Sequence, residues 1–150
     1  MIDLTTKFLG MTLKNPLIAS ASPLSEDIDK IKEMEQNGIA AVVLHSLFEE
    51  QIILQEKKLH QFLVQGTEHY AEALSYFPDV NHYHFVPDEY VEYISRLKQE
   101  VNIPIIGSLN GISRSGWVRY GQKIEEAGAD ALELNVYYIP TQINVSCQKI

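Results

Sequence analysis

The sequence predicts an α/β protein built on a parallel sheet, and three observations predict it. Short apolar runs alternate with stretches of helical patterning. The junction of helix, glycine and a new apolar run occurs twice, at Gly38 and at Gly128. Between the second and third runs the chain makes a long excursion, residues 47–103, and α/β barrels carry such insertions at the C-terminal ends of strands, where sites are built.

The elements follow in order. LTTKFLGMTLKNP is two short β-like runs around Gly10, a hairpin closed by Asn15-Pro16. LIASAS, 17–22, has the composition of a strand buried on both faces. Ser25 is placed to cap the helix that follows, in which Ile28, Ile31 and Met34 or Glu35 share a face and Gly38 ends it. IAAVVLHS, 39–46, is the second strand. FEEQIILQEKKLHQFLVQG, 48–66, suits an amphipathic helix, and EYVEYISRLKQEV, 89–101, is a helix with Val91, Ile94, Leu97 and Val101 inward. PIIGSLNG, 104–111, is the third strand. SGWVRYGQKIEEAG, 115–128, is a helix with Trp117, Tyr120 and Ile124 inward, and ADALELNV, 129–136, is the fourth strand.

Four strands with three helical connections make about half of a (β/α)8 TIM barrel, which takes about 250 residues in full. A doubly wound sheet is disfavoured, because no GxGxxG follows the first strand. Residues 1–150 are thus read as a single incomplete TIM-barrel domain, its N-terminal half, about the first four βα units after a short hairpin.

Composition bounds the partners. Hydrophobic content of 45% and charged content of 21% are ordinary for a globular domain, and 150 residues allow one real core. The net charge of −8 argues against nucleic acid and against an anionic membrane surface. One cysteine, Cys147, permits no intrachain disulfide, and no run reaches the ~18 apolar residues of a membrane helix. A cytoplasmic protein acting on a small molecule is expected. His60, His69, His82 and His84 lack neighbouring ligands in a known pattern, so no metal is expected.

Four stretches then resemble a known family. KNPLIASAS (14–22), AAVVLHSLFEEQI (40–52), IPIIGSLNGIS (103–113) and EEAGADALELNVYYIP (125–140) are similar, in order, to the N-terminal half of dihydroorotate dehydrogenase and its relatives, which are FMN-binding (β/α)8 proteins. The resemblance implies an oxidoreductase of pyrimidine biosynthesis that takes a proton from one carbon of a dihydropyrimidine and passes a hydride from its neighbour to FMN. It places Ala19 and Ser20 against the flavin ring, with Ala21 where a glycine is usual. It puts His45 at the position of a flavin-contacting lysine, with Ser46 following, and matches Asn110 and Asn135 to flavin- or substrate-binding asparagines. An asparagine amide both donates and accepts, as a flavin's polar edge requires. The catalytic base, a Cys or Ser in the family, falls at Tyr138, and the serine before it at Tyr137. A phenol ordinarily titrates near ~10 and needs a large depression to act as a base. The asparagine-bearing substrate loop of the family is replaced by HYAEALSYF.

The loops that hold the FMN phosphate in the family follow its seventh and eighth strands, which this chain does not include. Past Thr141 the resemblance fades, and 142–150 are expected to be a non-native or disordered tail. Within it INVSC spells part of the family's base motif but has neither the apolar strand before it nor Pro-Asn after it. The chain alone is expected to be inactive, and two copies could close an eight-stranded ring as a homo-oligomer. Two alternatives stay open: a noncatalytic barrel of the same family, and another FMN barrel reductase acting on activated C=C bonds, where a tyrosine proton donor is chemically sensible. For Asn110 the simpler reading is an Asn-Gly turn; for Asn135, a strand-end turn.

Overall fold

Leu9 at φ 50° and Gly10 at φ 78° turn β1 (Thr6–Phe8) back onto β2 (Met11–Leu13), with Phe8 opposite Met11. Positive φ at both central residues is the geometry that matches the twist of a two-residue hairpin. The computed structural model describes residues 2–54, 57, 86–111 and 113–136.

After the hairpin come β3 (Ile18–Ala19), a 3-10 turn (Pro23–Glu26), α1 (Ile28–Gln36) and β4 (Ala41–Phe48). Residues 49–54 are helical, and α2 (Val86–Glu100), β5 (Ile105–Asn110), α3 (Arg114–Glu126) and β6 (Ala131–Leu134) complete the described chain. The sheet runs β3-β4-β5-β6 with every neighbouring pair parallel. The α/β class and the parallel sheet therefore stand as the sequence predicts, and the order is compatible with part of a barrel. Gly38 and Gly128 stop α1 and α3 at φ 95° and 91°, conformations that cost a glycine little.

Two expectations are corrected. Ser25 does not cap α1; Asp27 does, its carboxylate accepting from the Asp29 amide at 2.9 Å, while Ser25 is buried within the 3-10 turn. The first strand is not buried on both faces either. Ile18 and Ala19 are only half-buried, because β3 lies at the end of the described sheet.

The core has two layers. Ile31 of α1, Ile94 and Leu97 of α2, and Tyr120 and Ile124 of α3 pack on Val42, Leu44, Ile105 and Leu109. The opposite face of the sheet presents Ala41, Val43 and Ile106, which pack with Leu13 of the hairpin and with Ala131. Gly107 faces α3: a Cβ there would meet Ile124 Cγ2 at 2.5 Å, so the strand and helix approach closely only because this residue is glycine.

Candidate functional site at the C-terminal strand ends

The site begins with an irregularity in β4. Val43 pairs with Ile106, but the next matched pair is Ser46 with Ser108, so β4 carries one more residue than β5 across this interval. That is a β-bulge, which leaves backbone groups unpaired and re-aims a side chain. The unpaired groups are met by side chains. The Tyr90 hydroxyl stands in the gap, donating to the His45 carbonyl at 3.0 Å and accepting from the Ser108 amide at 3.1 Å. The Ser25 hydroxyl accepts from the His45 amide at 2.7 Å, and the Tyr93 hydroxyl donates to the Ser25 carbonyl at 2.7 Å. Burial pushes both phenols up to about 12, so they act as neutral hydrogen-bonding groups.

The bulge turns His45 toward α2. Its ring meets Tyr90 edge-on at 5.1 Å and Tyr93 at 6.0 Å. Its Nδ1 is buried with no hydrogen-bond partner among the described residues. Burial lowers the His45 pKa from its ordinary 6.5, against the opposing pull of Glu26 and of the hydrogen bond with Ser25. The fold thus prefers neutral His45, and its contribution to stability is present above the unfolded value and is lost as pH falls through and below 6.5. Chemical unfolding of the chain at a series of pH values should show stability falling between neutral and mildly acidic pH. His45→Asn should flatten that dependence; an unchanged slope would contradict the assignment.

Beyond the bulge the opposite face becomes polar. Side chains two apart in a strand share a face, so Ser108 and Asn110 follow Ile106, and Glu133 and Asn135 follow Ala131. Ser46 Oγ lies 2.8 Å from Ser108 Oγ, and Ser108 Oγ donates to Glu133 Oε1 at 3.0 Å. Asn135 Nδ2 donates into the same group, to Ser108 Oγ at 3.1 Å and to Ser46 Oγ and Glu133 Oε1 at 3.4 Å each. The Asn135 amide is itself fixed on the Leu109 carbonyl at 3.0 Å. Asn110 is 7% exposed, and its Oδ1 has no hydrogen-bond partner among the described residues. Such an acceptor costs free energy until a donor meets it.

Ser46 also borders an open cavity of about 330 Å³ between the turn after β3 and the end of β4, where Ala21, Ser22, His45 and Phe48 form other parts of the wall. The adjoining connections are tied together. Glu49, just past β4, accepts from the Ser113 amide at 2.9 Å and from the Ser113 hydroxyl, and Ser113 caps α3 through the Gly116 amide at 2.9 Å. Carboxylate charge at a helix N-terminus is favourable.

The structure thus brings Ser46 and Asn135 into one hydrogen-bonded group and sets Asn110 on the same face at the end of β5. Ala19 ends β3 opposite Val42, and Ser20 is exposed. His45 lies with α2, apart from the polar group. Tyr137, Tyr138, the four other histidines and Cys147 lie outside the described residues, as do 142–150. Sequence reasoning missed Ser108, Glu133 and Tyr90. The period-two spacing of Ala131, Glu133 and Asn135 was the available signal for Glu133.

Fold and site together define a parallel α/β chain with a polar group at the C-terminal ends of its strands, the place where such folds put their chemistry. The comparisons agree with the family resemblance read from the sequence. The chain is similar to the catalytic subunit of dihydroorotate dehydrogenase B (NAD(+)) of Thermoplasma acidophilum, 30% identical over 136 residues, which is 91% of this chain and 42% of that protein. It is 29% identical to the subunit of the same name from Thermoplasma volcanium over 137 residues, again 91% of this chain and 42% of the relative. The chain therefore spans about two-fifths of the length of these curated relatives. No family model matches it. Among the described residues no helix is long and apolar enough to cross a membrane.

Proposed function

We propose that the chain forms part of an FMN-dependent oxidoreductase of the dihydroorotate dehydrogenase type, working on a dihydropyrimidine-like small molecule in the cytoplasm. The observation that carries this reading is the polar group Ser46–Ser108–Glu133–Asn135 with the unmet acceptor of Asn110 beside it, on one sheet face at the C-terminal strand ends. The similarity to the two Thermoplasma subunits supports it.

These residues fit a flavin in a specific sense. Asn110 Oδ1 is a buried acceptor with no partner among the described residues, which a ring N–H reaching it would satisfy. Asn135 is held by its backbone amide on Leu109 and by its side chain on both serines. Ala19 and Ser20 would flank the ring from β3. Bound there, FMN supplies a two-electron acceptor for hydride; the chain's residues orient the ring and the substrate and handle the proton. His45 enters this reading as a support of the bulge that sets Ser46 opposite Ser108. A barrel completed by further strands, or by a second copy of the chain, belongs to the same proposal, and so does NAD(+) as the final electron acceptor, since the relatives' names carry NAD(+).

Titration of FMN fluorescence tests the reading. The wild-type chain should quench it with a saturable curve, and Asn110→Ala should weaken binding about threefold to tenfold, the worth of one neutral hydrogen bond. Equal affinities for the two would contradict the placement of the flavin.

A further inference from the structure

Ser108 is 0% exposed, so its hydroxyl has only the partners the fold gives it. The carboxylate oxygen of Glu133 accepts from the Ser108 hydroxyl, which fixes the sense of the chain. Ser108 gives its one proton to Glu133 Oε1 and receives hydrogen bonds from Asn135 Nδ2 and from Ser46. Ser46 therefore points its hydroxyl proton inward, toward a carboxylate two hydrogen bonds away, and Ser46 is one of the residues that line the open cavity. A hydroxyl whose proton is drawn toward a base is the arrangement that activates oxygen in acid–base sites. The Tyr90 hydroxyl behind Ser108 is committed to the His45 carbonyl and the Ser108 amide, and it stays neutral at physiological pH.

We propose that Glu133 is the terminal proton acceptor of this site, reached from the cavity through Ser46 and Ser108. The inference rests on the oxidoreductase reading and deepens it by supplying a base where the family position holds Tyr138. The step balances. The C–H bond beside the substrate's ring carbonyl breaks and its proton joins Ser46 Oγ. The Ser46 proton passes to Ser108 Oγ, and the Ser108 proton to Glu133 Oε1, which becomes a neutral carboxylic acid. The electron pair left on carbon would form the C=C bond with its neighbour, for whose hydride FMN, when bound, would supply the two-electron acceptor.

Deuterium exchange reads the base without requiring turnover. The chain, mixed with FMN, is incubated with dihydroorotate in D2O, and loss of the proton signal beside the ring carbonyl is followed by NMR. Flavin retention is measured on the same sample by gel filtration. The expected result is exchange well above the buffer rate, reduced about a hundredfold or more by Glu133→Gln, the usual worth of a general base. Ser108→Ala, which keeps the carboxylate but removes the link, should reduce it to a similar degree. Far-ultraviolet circular dichroism confirms that each variant folds, and either folded variant is sufficient for the comparison. Retained flavin with no exchange above buffer, or with exchange unchanged in a folded variant, overturns the relay and leaves the oxidoreductase reading standing. No retained flavin overturns that reading and the relay with it.

Discussion

Tyr90→Phe should destabilise the chain by about 1–3 kcal/mol for each of the two buried backbone groups it strands. The substitution removes one oxygen and leaves the ring, so packing against His45 and the core is conserved. What disappears is the hydroxyl between the His45 carbonyl and the Ser108 amide, at 3.0 and 3.1 Å. In a regular ladder these groups would find partners in the neighbouring strand; at the bulge the Tyr90 phenol meets both. Ser108 is fully buried, so water does not replace it cheaply. Tyr93→Phe serves as the comparison. Its hydroxyl meets a single carbonyl, that of Ser25, and its loss should cost less, about 0.5–1.5 kcal/mol. Urea unfolding gives the answer directly, as a lower midpoint at unchanged slope. Equal effects of the two substitutions would contradict the role given to Tyr90.

Ile94→Ala should cost about 2–5 kcal/mol, the range for emptying a buried aliphatic site. Ile94 is 0% exposed and lies in the layer where α2 packs on Leu44 and Ile105, with Ile31 of α1 and Ile124 of α3 in the same cluster. The residues around it come from three helices and two strands, so the hole cannot close by moving one element. Total stabilities of domains are about 5–15 kcal/mol, so such a loss is a large fraction of the whole. Thermal unfolding followed by circular dichroism measures it; a variant melting with the wild type would show that the helix layer is not the core.

Much of this architecture was written locally. Gly38 and Gly128 mark helix ends because both adopt φ above 90°, and the runs before and after them became α1, β4, α3 and β6. The inward stripe Ile94, Leu97 and Val101 was legible from spacing alone. Tyr90 was not, because it precedes that stripe and carries a polar tip, and its use is set by a bulge in another strand. The bulge had no local mark: Leu44-His45 reads as two more residues of an apolar strand, and only pairing with β5 shows that one is extra. Ser25 was assigned a capping role from its position before a helix, whereas the fold uses its hydroxyl on the His45 amide. Ser46 and Asn135 were legible through the family motifs. That they meet each other, through Ser108 and Glu133, depends on the register of three strands, which no single stretch of sequence specifies.

The visible spectrum of the chain after incubation with FMN and gel filtration tests the central claim most directly. The account predicts a flavin band eluting with the protein, because the proposal seats the ring at the strand ends, where Asn110 and Asn135 share one sheet face. A colourless protein peak would contradict it.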